Sequence, residues 1–192
     1  MFLKPITFLL IFLISLLSVG ICPSVAEPKR KATFKEVTAT TSETHLLVYC
    51  TLRDNFTPEM AAILHSGLEL KFSFFIELYK TAINWPDEQV ALFIFQHTIS
   101  YDTLKETYRI TLEEDNNILL SFKSLADAQK ALNELNGVKV VPLKQLIPDN
   151  YYKLKIRAEL NQKTLPLSLH NFLPFLSWWD VVTDWHTIEF KY

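Results

Sequence analysis

Glycine and cysteine are scarce in this 192-residue chain, and both shortages exclude functions. The chain has three glycines, too few for a glycine-rich loop that would cradle a phosphate. Of its two cysteines, Cys22 lies in an N-terminal segment that we expect to be removed, so no disulfide can form within the remaining chain. Cys50 lies in an apolar, strand-like run, which favours a small buried side chain over a nucleophile.

An excess of positive charge is also missing. The chain has 19 Lys and Arg against 21 Asp and Glu, and loss of the N-terminal segment removes Lys4 but no acid, so the net charge falls from −2 to about −3. A chain with this balance has no electrostatic footprint for nucleic acid.

Metal and nucleophile motifs are absent from the sequence. No serine stands in a nucleophile elbow, and the acidic residues 113–117 between two strand-like runs indicate a hairpin turn rather than a calcium loop. The histidines occur singly, without the spacing of a metal site, which favours hydrogen-bonded structural roles; they are His45, His65, His97, His170 and His186. We therefore expect no metal and no cofactor.

The N-terminus has the layout of an export signal. Lys4 precedes an apolar run over residues 6–21, and Ser24 and Ala26 supply small side chains just before Glu27. The run of roughly 16 residues would span about 24 Å as a helix, short of a hydrocarbon core of roughly 30 Å. We expect cleavage after residue 26 and a location in the periplasm of a Gram-negative bacterium.

Two other fates of this segment are open. It could be retained as an inner-membrane anchor, or Cys22 could carry a lipid, although Ile21 stands where lipid-attachment signals have a small residue. In each case residues 27–192 form one domain, because no linker or repeat divides them.

Period-two alternation dominates this domain. Residues 68–78, 104–112 and 152–160 each alternate apolar and polar side chains, which predicts half-exposed strands of an antiparallel sheet. Residues 90–95 are apolar on both faces and are our candidate for the most buried strand. We expect shorter strands at residues 34–39, 45–52, 118–122, 138–141 and 185–192.

Two short helices interrupt the strands. Thr57 and Pro58 begin the first helix and Gly67 ends it. The second is expected to run from Ser124 through Leu135 to Gly137. The predicted fold class is α+β, mainly β: an antiparallel sheet or β-sandwich with two short packed helices, after an N-terminal signal peptide.

Two groups of residues are candidate sites. Lys153, Lys155 and Arg157 point the same way along one strand and could meet an anionic ligand, or could pair with carboxylates such as Glu69 and Glu77. The second group could be an exposed patch for a protein or membrane-surface partner, or could close the end of the sheets; it comprises Phe172, Leu173, Phe175, Leu176, Trp178 and Trp179.

The order of several short motifs resembles domain-of-unknown-function family 4390. The resemblance implies an exported bacterial protein of about this size, without catalytic residues that could be transferred. Glu69 stands where the family pattern suggests proline, and the doublet Trp178-Trp179 also departs from it. The resemblance rests on residues 67–72, 101–104, 108–109, 122–125 with Ala128, 152–157 with Leu160, and 165–167, followed by the late tryptophans.

Three functions compete. The first is a non-catalytic envelope module that binds or scaffolds a partner through the aromatic segment. The second is a hydrolase or transferase built from dispersed residues such as Asp102, Glu106, Arg109 and Arg157. The third is an accessory sensor domain held by an uncleaved N-terminal anchor.

Overall fold

The alternating segments form nine antiparallel strands across residues 31–82, 85–161 and 181–192, which are the residues that the computed structural model describes. The strands are β1 Thr33–Thr41, β2 His45–Arg53, β3 Leu70–Lys80, β4 Glu88–Asp102, β5 Thr107–Leu112, β6 Ile118–Phe122, β7 Glu134–Pro142, β8 Tyr151–Leu160 and β9 His186–Lys191. Helix α1 spans Pro58–His65, α2 spans Leu125–Asn133, and a 3-10 turn spans Leu143–Gln145.

These strands form two sheets. A three-stranded sheet has the order β1-β2-β7, and a six-stranded sheet has the order β6-β5-β4-β3-β8-β9. Every neighbouring pair is antiparallel. The predicted mainly-β, antiparallel fold with two short helices is therefore confirmed.

The core lies on the inner face of each sheet, as the alternation requires. In β3 the even-numbered side chains from Leu70 to Leu78 are buried, and in β8 those from Tyr152 to Leu160 are buried. Leu46, Val48, Cys50 and Leu52 of β2 belong to the same hydrophobic cluster. The opposite, outer face of the six-stranded sheet carries the odd-numbered side chains of β3 and β8.

Both helices begin as predicted. Thr57 occupies the N-cap position of α1 in an extended conformation, without a side-chain cap bond, and Pro58 follows at the first helical position. At the start of α2, the Ser124 hydroxyl accepts the Ala126 N–H at 3.2 Å. Each helix buries one stripe against the core, Met60, Ile63 and Leu64 in α1 and Ala128 and Leu132 in α2. No described helix has the length and apolar character that a membrane span requires.

The predicted end of the second helix is wrong. Helix α2 ends at Asn133, and β7 begins at Glu134. Leu135 is buried in β7 opposite Cys50, a position that suits the helical stripe and the strand alternation equally. Val48 pairs with Val138 and the next residue, Tyr49, pairs with Asn136, so Gly137 has no partner in β2 and forms a β-bulge. Its φ is 75°.

The prediction that residues 90–95 form the most buried strand is also wrong. These residues lie in the half of β4 that extends beyond β5, whose pairing begins at His97 opposite Leu112. Leu92 and Ile94 are 54% and 50% exposed on the outer face. An uninterrupted apolar run fits an apolar outer face as well as a buried strand, so periodicity could not separate the two.

The expected strand from residue 104 begins later. Leu104 is 95% exposed in the turn between β4 and β5, where the Asp102 carboxylate accepts the N–H groups of Leu104 and Lys105 at 3.0 Å each. The acidic residues 113–117 form the turn between β5 and β6, as predicted, with Asn116 and Asn117 at positive φ.

Candidate functional site

The aromatic candidate, residues 172–179, lies outside the described residues, so its role in partner binding stays a prediction. The N-terminal residues 1–30, with the expected signal and cleavage point, also lie outside them. Among the sequence candidates, the structure therefore places the cation row of β8.

The cations Lys153, Lys155 and Arg157 lie together on the outer face of the six-stranded sheet. Leu154 and Ile156, between them in sequence, point into the core and are fully buried. The three cations are half-buried because neighbouring strands flank β8 on both sides. The predicted common direction of the row is thus confirmed by the packing of the alternate residues.

Carboxylates neutralise Lys153, although they are not the ones suggested by the sequence. Its Nζ lies 2.8 Å from Asp87 Oδ2 and 3.8 Å from Glu189 Oε1. The hydrogen bond from Lys153 lowers the pKa of Asp87, and the same bond raises the pKa of Lys153. This pair stabilises the charged form of both groups.

Glu69 and Glu77 have other partners. Glu69 pairs with Lys71 at 2.7 Å, and Glu77 accepts the Tyr79 hydroxyl at 3.0 Å. That hydrogen bond raises the pKa of Tyr79 because it favours the protonated phenol. Lys155 lies opposite Glu77 in the register, yet it makes no ion pair with any described carboxylate.

Aromatic rings support the other two cations. The Arg157 guanidinium lies 5.0 Å from the ring centroid of Phe75 and 5.0 Å from that of Trp185. Lys155 Nζ lies 5.1 Å from the Tyr79 ring centroid. We call the surface formed by Phe75, Tyr79, Lys155, Arg157 and Trp185 the cation–aromatic face.

Arg157 retains binding capacity on this face. One of its terminal nitrogens donates to Glu159 at 3.3 Å, while its buried Nε has no hydrogen-bond partner among the described residues. A guanidinium has five N–H donors, and stacking on rings leaves their in-plane directions available to a carboxylate. The face can therefore combine charge-assisted hydrogen bonds with apolar contact.

The dispersed residues suggested for catalysis do not converge. Asp102 and Arg109 form an ion pair beside the turn between β4 and β5, and the N–H of Lys105 contributes most to lowering the pKa of Asp102. Arg157 lies in register with Phe75, which pairs with Ile94, eight residues before Asp102 along β4. At about 3.4 Å per residue, these eight residues separate Asp102 from Arg157 by roughly 27 Å along the strand direction. Glu106 adjoins the turn at positive φ.

A buried polar pair was missed by the sequence interpretation. His97 is fully buried, with Nδ1 2.6 Å from the Leu132 carbonyl oxygen and Nε2 2.7 Å from Glu114 Oε1. It joins β4 to the end of α2 and to the turn after β5. The inward position of His97 could have been inferred from its alternation with Phe95 and Ile99. Because the pair is enclosed, it is a structural tie rather than a substrate site.

Cys50 is the buried small residue that its neighbours predicted. Burial raises the pKa of its thiol to about 12, so the thiolate that would act as a nucleophile is negligible near neutral pH. A cavity of about 270 Å³ between β2 and α2 contains neither histidine nor cysteine; its lining residues are Thr51, Arg53, Ala126, Gln129, Lys130, Asn133 and Glu134. No group of three metal-ligating side chains occurs within the described part of the chain.

Comparison with known proteins gives one match. Residues 29–189 match the family described as Domain of unknown function (DUF4390), which covers most of the chain. Neither the curated proteins nor the solved structures contain a match.

Proposed function

The chain belongs to the DUF4390 family, and from that premise we propose that it is a non-catalytic binding module of the cell envelope that docks an acidic segment of a protein partner. The contact surface is the cation–aromatic face. The observation that carries the proposal is Arg157, whose guanidinium lies 5.0 Å from the ring centroids of both Phe75 and Trp185 and donates through one terminal nitrogen to Glu159 among the described residues. The terminal nitrogens of this partly exposed guanidinium are the donors that a ligand carboxylate would reach.

Lys155 adds a second point of attachment. Its neighbours in the row, Lys153 and Arg157, contact carboxylates of the protein itself, whereas Lys155 contacts a ring and no described carboxylate. A carboxylate side chain of a partner would therefore find at Lys155 a cation that forms no ion pair with a described carboxylate. Arg157 and the rings beside it would contact the flanking apolar side chains.

The low exposure of the cation side chains favours a protein segment over a lipid surface as the ligand. The Lys153 and Arg157 side chains are only 26% and 30% exposed, because the adjacent strands and rings flank them. A flat bilayer reaches protruding lysines, while recessed cations are reached by the side chains of an extended peptide. The proposed envelope location rests on the N-terminal export signal described above.

A peptide array displaying segments of envelope proteins would test this function. We expect the protein to retain peptides rich in Asp and Glu next to apolar residues. Lys155→Glu should weaken binding at least tenfold, equivalent to about 1.4 kcal/mol, because it places like charges together. Lys139→Glu, the same change at an exposed position of β7 in the other sheet, is the matched control and should bind normally.

Anionic vesicles form the second arm of this experiment. If vesicles bind the protein, and Lys155→Glu abolishes that binding while no peptide is retained, the ligand is a lipid surface and the proposal fails. Equal binding of peptides by Lys155→Glu and by the wild type would also exclude the cation–aromatic face.

A further inference from the structure

Half of β4 has a neighbouring strand on one side only, among the strands that the structure describes. Residues 88–96 pair with β3 on one side, and β5 begins only opposite His97. The pairing of β4 with the β5 side ends at Gln96. Its N–H donates to Glu113 Oε2 at 2.7 Å, and its carbonyl accepts the Glu113 N–H at 3.1 Å. Among the described residues, no strand lies beside β4 beyond this point.

The backbone of this half-strand is oriented for further pairing. Alternate residues of an antiparallel strand present their N–H and C=O groups to the same side. Leu92 and Ile94 share the parity of Gln96, so their backbone groups point away from β3 and toward the open edge. Their side chains are also half-exposed on the outer face.

The edge lacks most of the usual protection against strand pairing. Natural edge strands commonly carry lysine, proline or inward-pointing charge. Residues 90–95 contain six apolar side chains and no charge or proline. One protective feature is present: a bulge at Val90, where Tyr79 pairs with Gln89 after Leu78 pairs with Ala91. The regular part of any added ladder is therefore short.

We propose that this edge pairs with the same edge of a second copy of the chain, antiparallel about a two-fold axis at Leu92. The segment is self-complementary, since this register places Val90 opposite Ile94 of the second copy and Ala91 opposite Phe93. Leu92 lies opposite its own equivalent, and no two like charges oppose one another. The two six-stranded sheets become one continuous sheet with both outer faces on the same side.

A second copy fits this edge better than the acidic segment proposed above. An acidic strand would place carboxylates against an apolar edge that offers no cation between residues 89 and 96. Another copy instead covers Leu92 and Ile94 with equivalent apolar side chains. The inference goes beyond the binding function, because it concerns another surface and does not require Lys155 or Arg157.

Sedimentation and disulfide trapping test the dimer in the purified exported chain. Wild-type protein should show a concentration-dependent monomer–dimer equilibrium, and Leu92→Lys should remain monomeric because two ammonium groups would oppose one another. Leu104→Lys, in the exposed turn, is the matched control and should dimerise normally. Unchanged melting of Leu92→Lys would show that it is folded.

Trapping reports the register and remains informative if Leu92→Lys fails to fold. Directly paired residues have Cα atoms about 5.5 Å apart, within reach of a disulfide. Under copper-phenanthroline with dissolved oxygen as oxidant, Leu92→Cys should form a covalent dimer much faster than Ile94→Cys or Leu104→Cys. Buried Cys50 should stay reduced.

A wild type that is monomeric at every concentration would overturn the inference, as would equal trapping rates for all three cysteine variants. Lys155→Glu should dimerise like the wild type, so failure of the binding function and failure of the dimer give separate results.

Discussion

Two phenylalanines of β3, three residues apart, lie on opposite faces of the six-stranded sheet. Phe72 is fully buried and pairs across the sheet with His97 on the inner face. Phe75 lies on the outer face beneath the Arg157 guanidinium. The difference follows from position parity in the strand, which determines whether a ring contributes to folding or remains available to a partner.

Truncating these two phenylalanines should therefore give different losses of stability. We expect Phe72→Ala to lower the free energy of unfolding by about 3–5 kcal/mol, because it leaves a cavity in the core. Phe75→Ala should cost about 1–2 kcal/mol, since solvent already reaches that ring. Denaturant unfolding measures the two losses of stability, and equal m-values for the two variants make their midpoints directly comparable. Equal losses at the two positions would contradict the assignment of the faces.

Parity could be predicted from the sequence, whereas the partners of each side chain could not. The shared direction of Lys153, Lys155 and Arg157 is a property of one strand. The contacts of Lys153 with Asp87 and Glu189 depend on which strands flank β8 and in which register. Trp185 reaches Arg157 from just before β9, 28 positions along the chain. No local pattern encodes such a contact.

Strands were easier to predict than their ends. The alternation in β3, β5 and β8 comes from burial of one face, which the sequence records directly. The end of α2 was misplaced because Leu135 satisfies both periodicities. The burial of residues 90–95 in β4 was predicted wrongly because the lengths of β5 and β3, rather than the composition of β4, determine which of its residues have neighbours.

The bulge in β7 can be tested through its glycine. Gly137 has φ of 75°, and an added Cβ would lie 3.2 Å from the Tyr49 hydroxyl oxygen. Gly137→Ala should destabilise the protein by about 1–2 kcal/mol from the backbone alone, plus the cost of displacing Tyr49. Gly67→Ala is the matched control, because Gly67 has φ of 88° and nothing within 4 Å of its Cβ position.

The difference between these two variants isolates the Tyr49 contact. Gly137→Ala should be the less stable variant in thermal unfolding, and adding Tyr49→Phe should recover part of the difference by removing the hydroxyl. Equal stability of the two glycine variants would mean that Tyr49 moves away without cost.

At the scale of the whole molecule, both sheets and both helices contribute to one hydrophobic cluster. The family match extends over residues 29–189 and leaves the apolar N-terminal run outside. Cys50, the one cysteine within residues 29–189, lies in the core, where burial raises its pKa to about 12. Under the proposed export, the chain would meet oxidants that couple exposed thiols, and burial of Cys50 would then keep it from forming intermolecular disulfides.

We expect export to remove the N-terminal segment between Ala26 and Glu27. Ser24 and Ala26 are small enough for a signal peptidase, and the apolar run is shorter than a membrane span. N-terminal sequencing of protein from the periplasmic fraction should therefore begin at Glu27. Ala26→Leu should slow processing and leave precursor in the membrane, while Val25→Leu, whose side chain is not read as a small residue, should be processed normally. A wild type that begins at Met1 and sediments with membranes would contradict cleavage and indicate an anchored protein. Its β4 edge and cation–aromatic face would then meet partners beside the membrane.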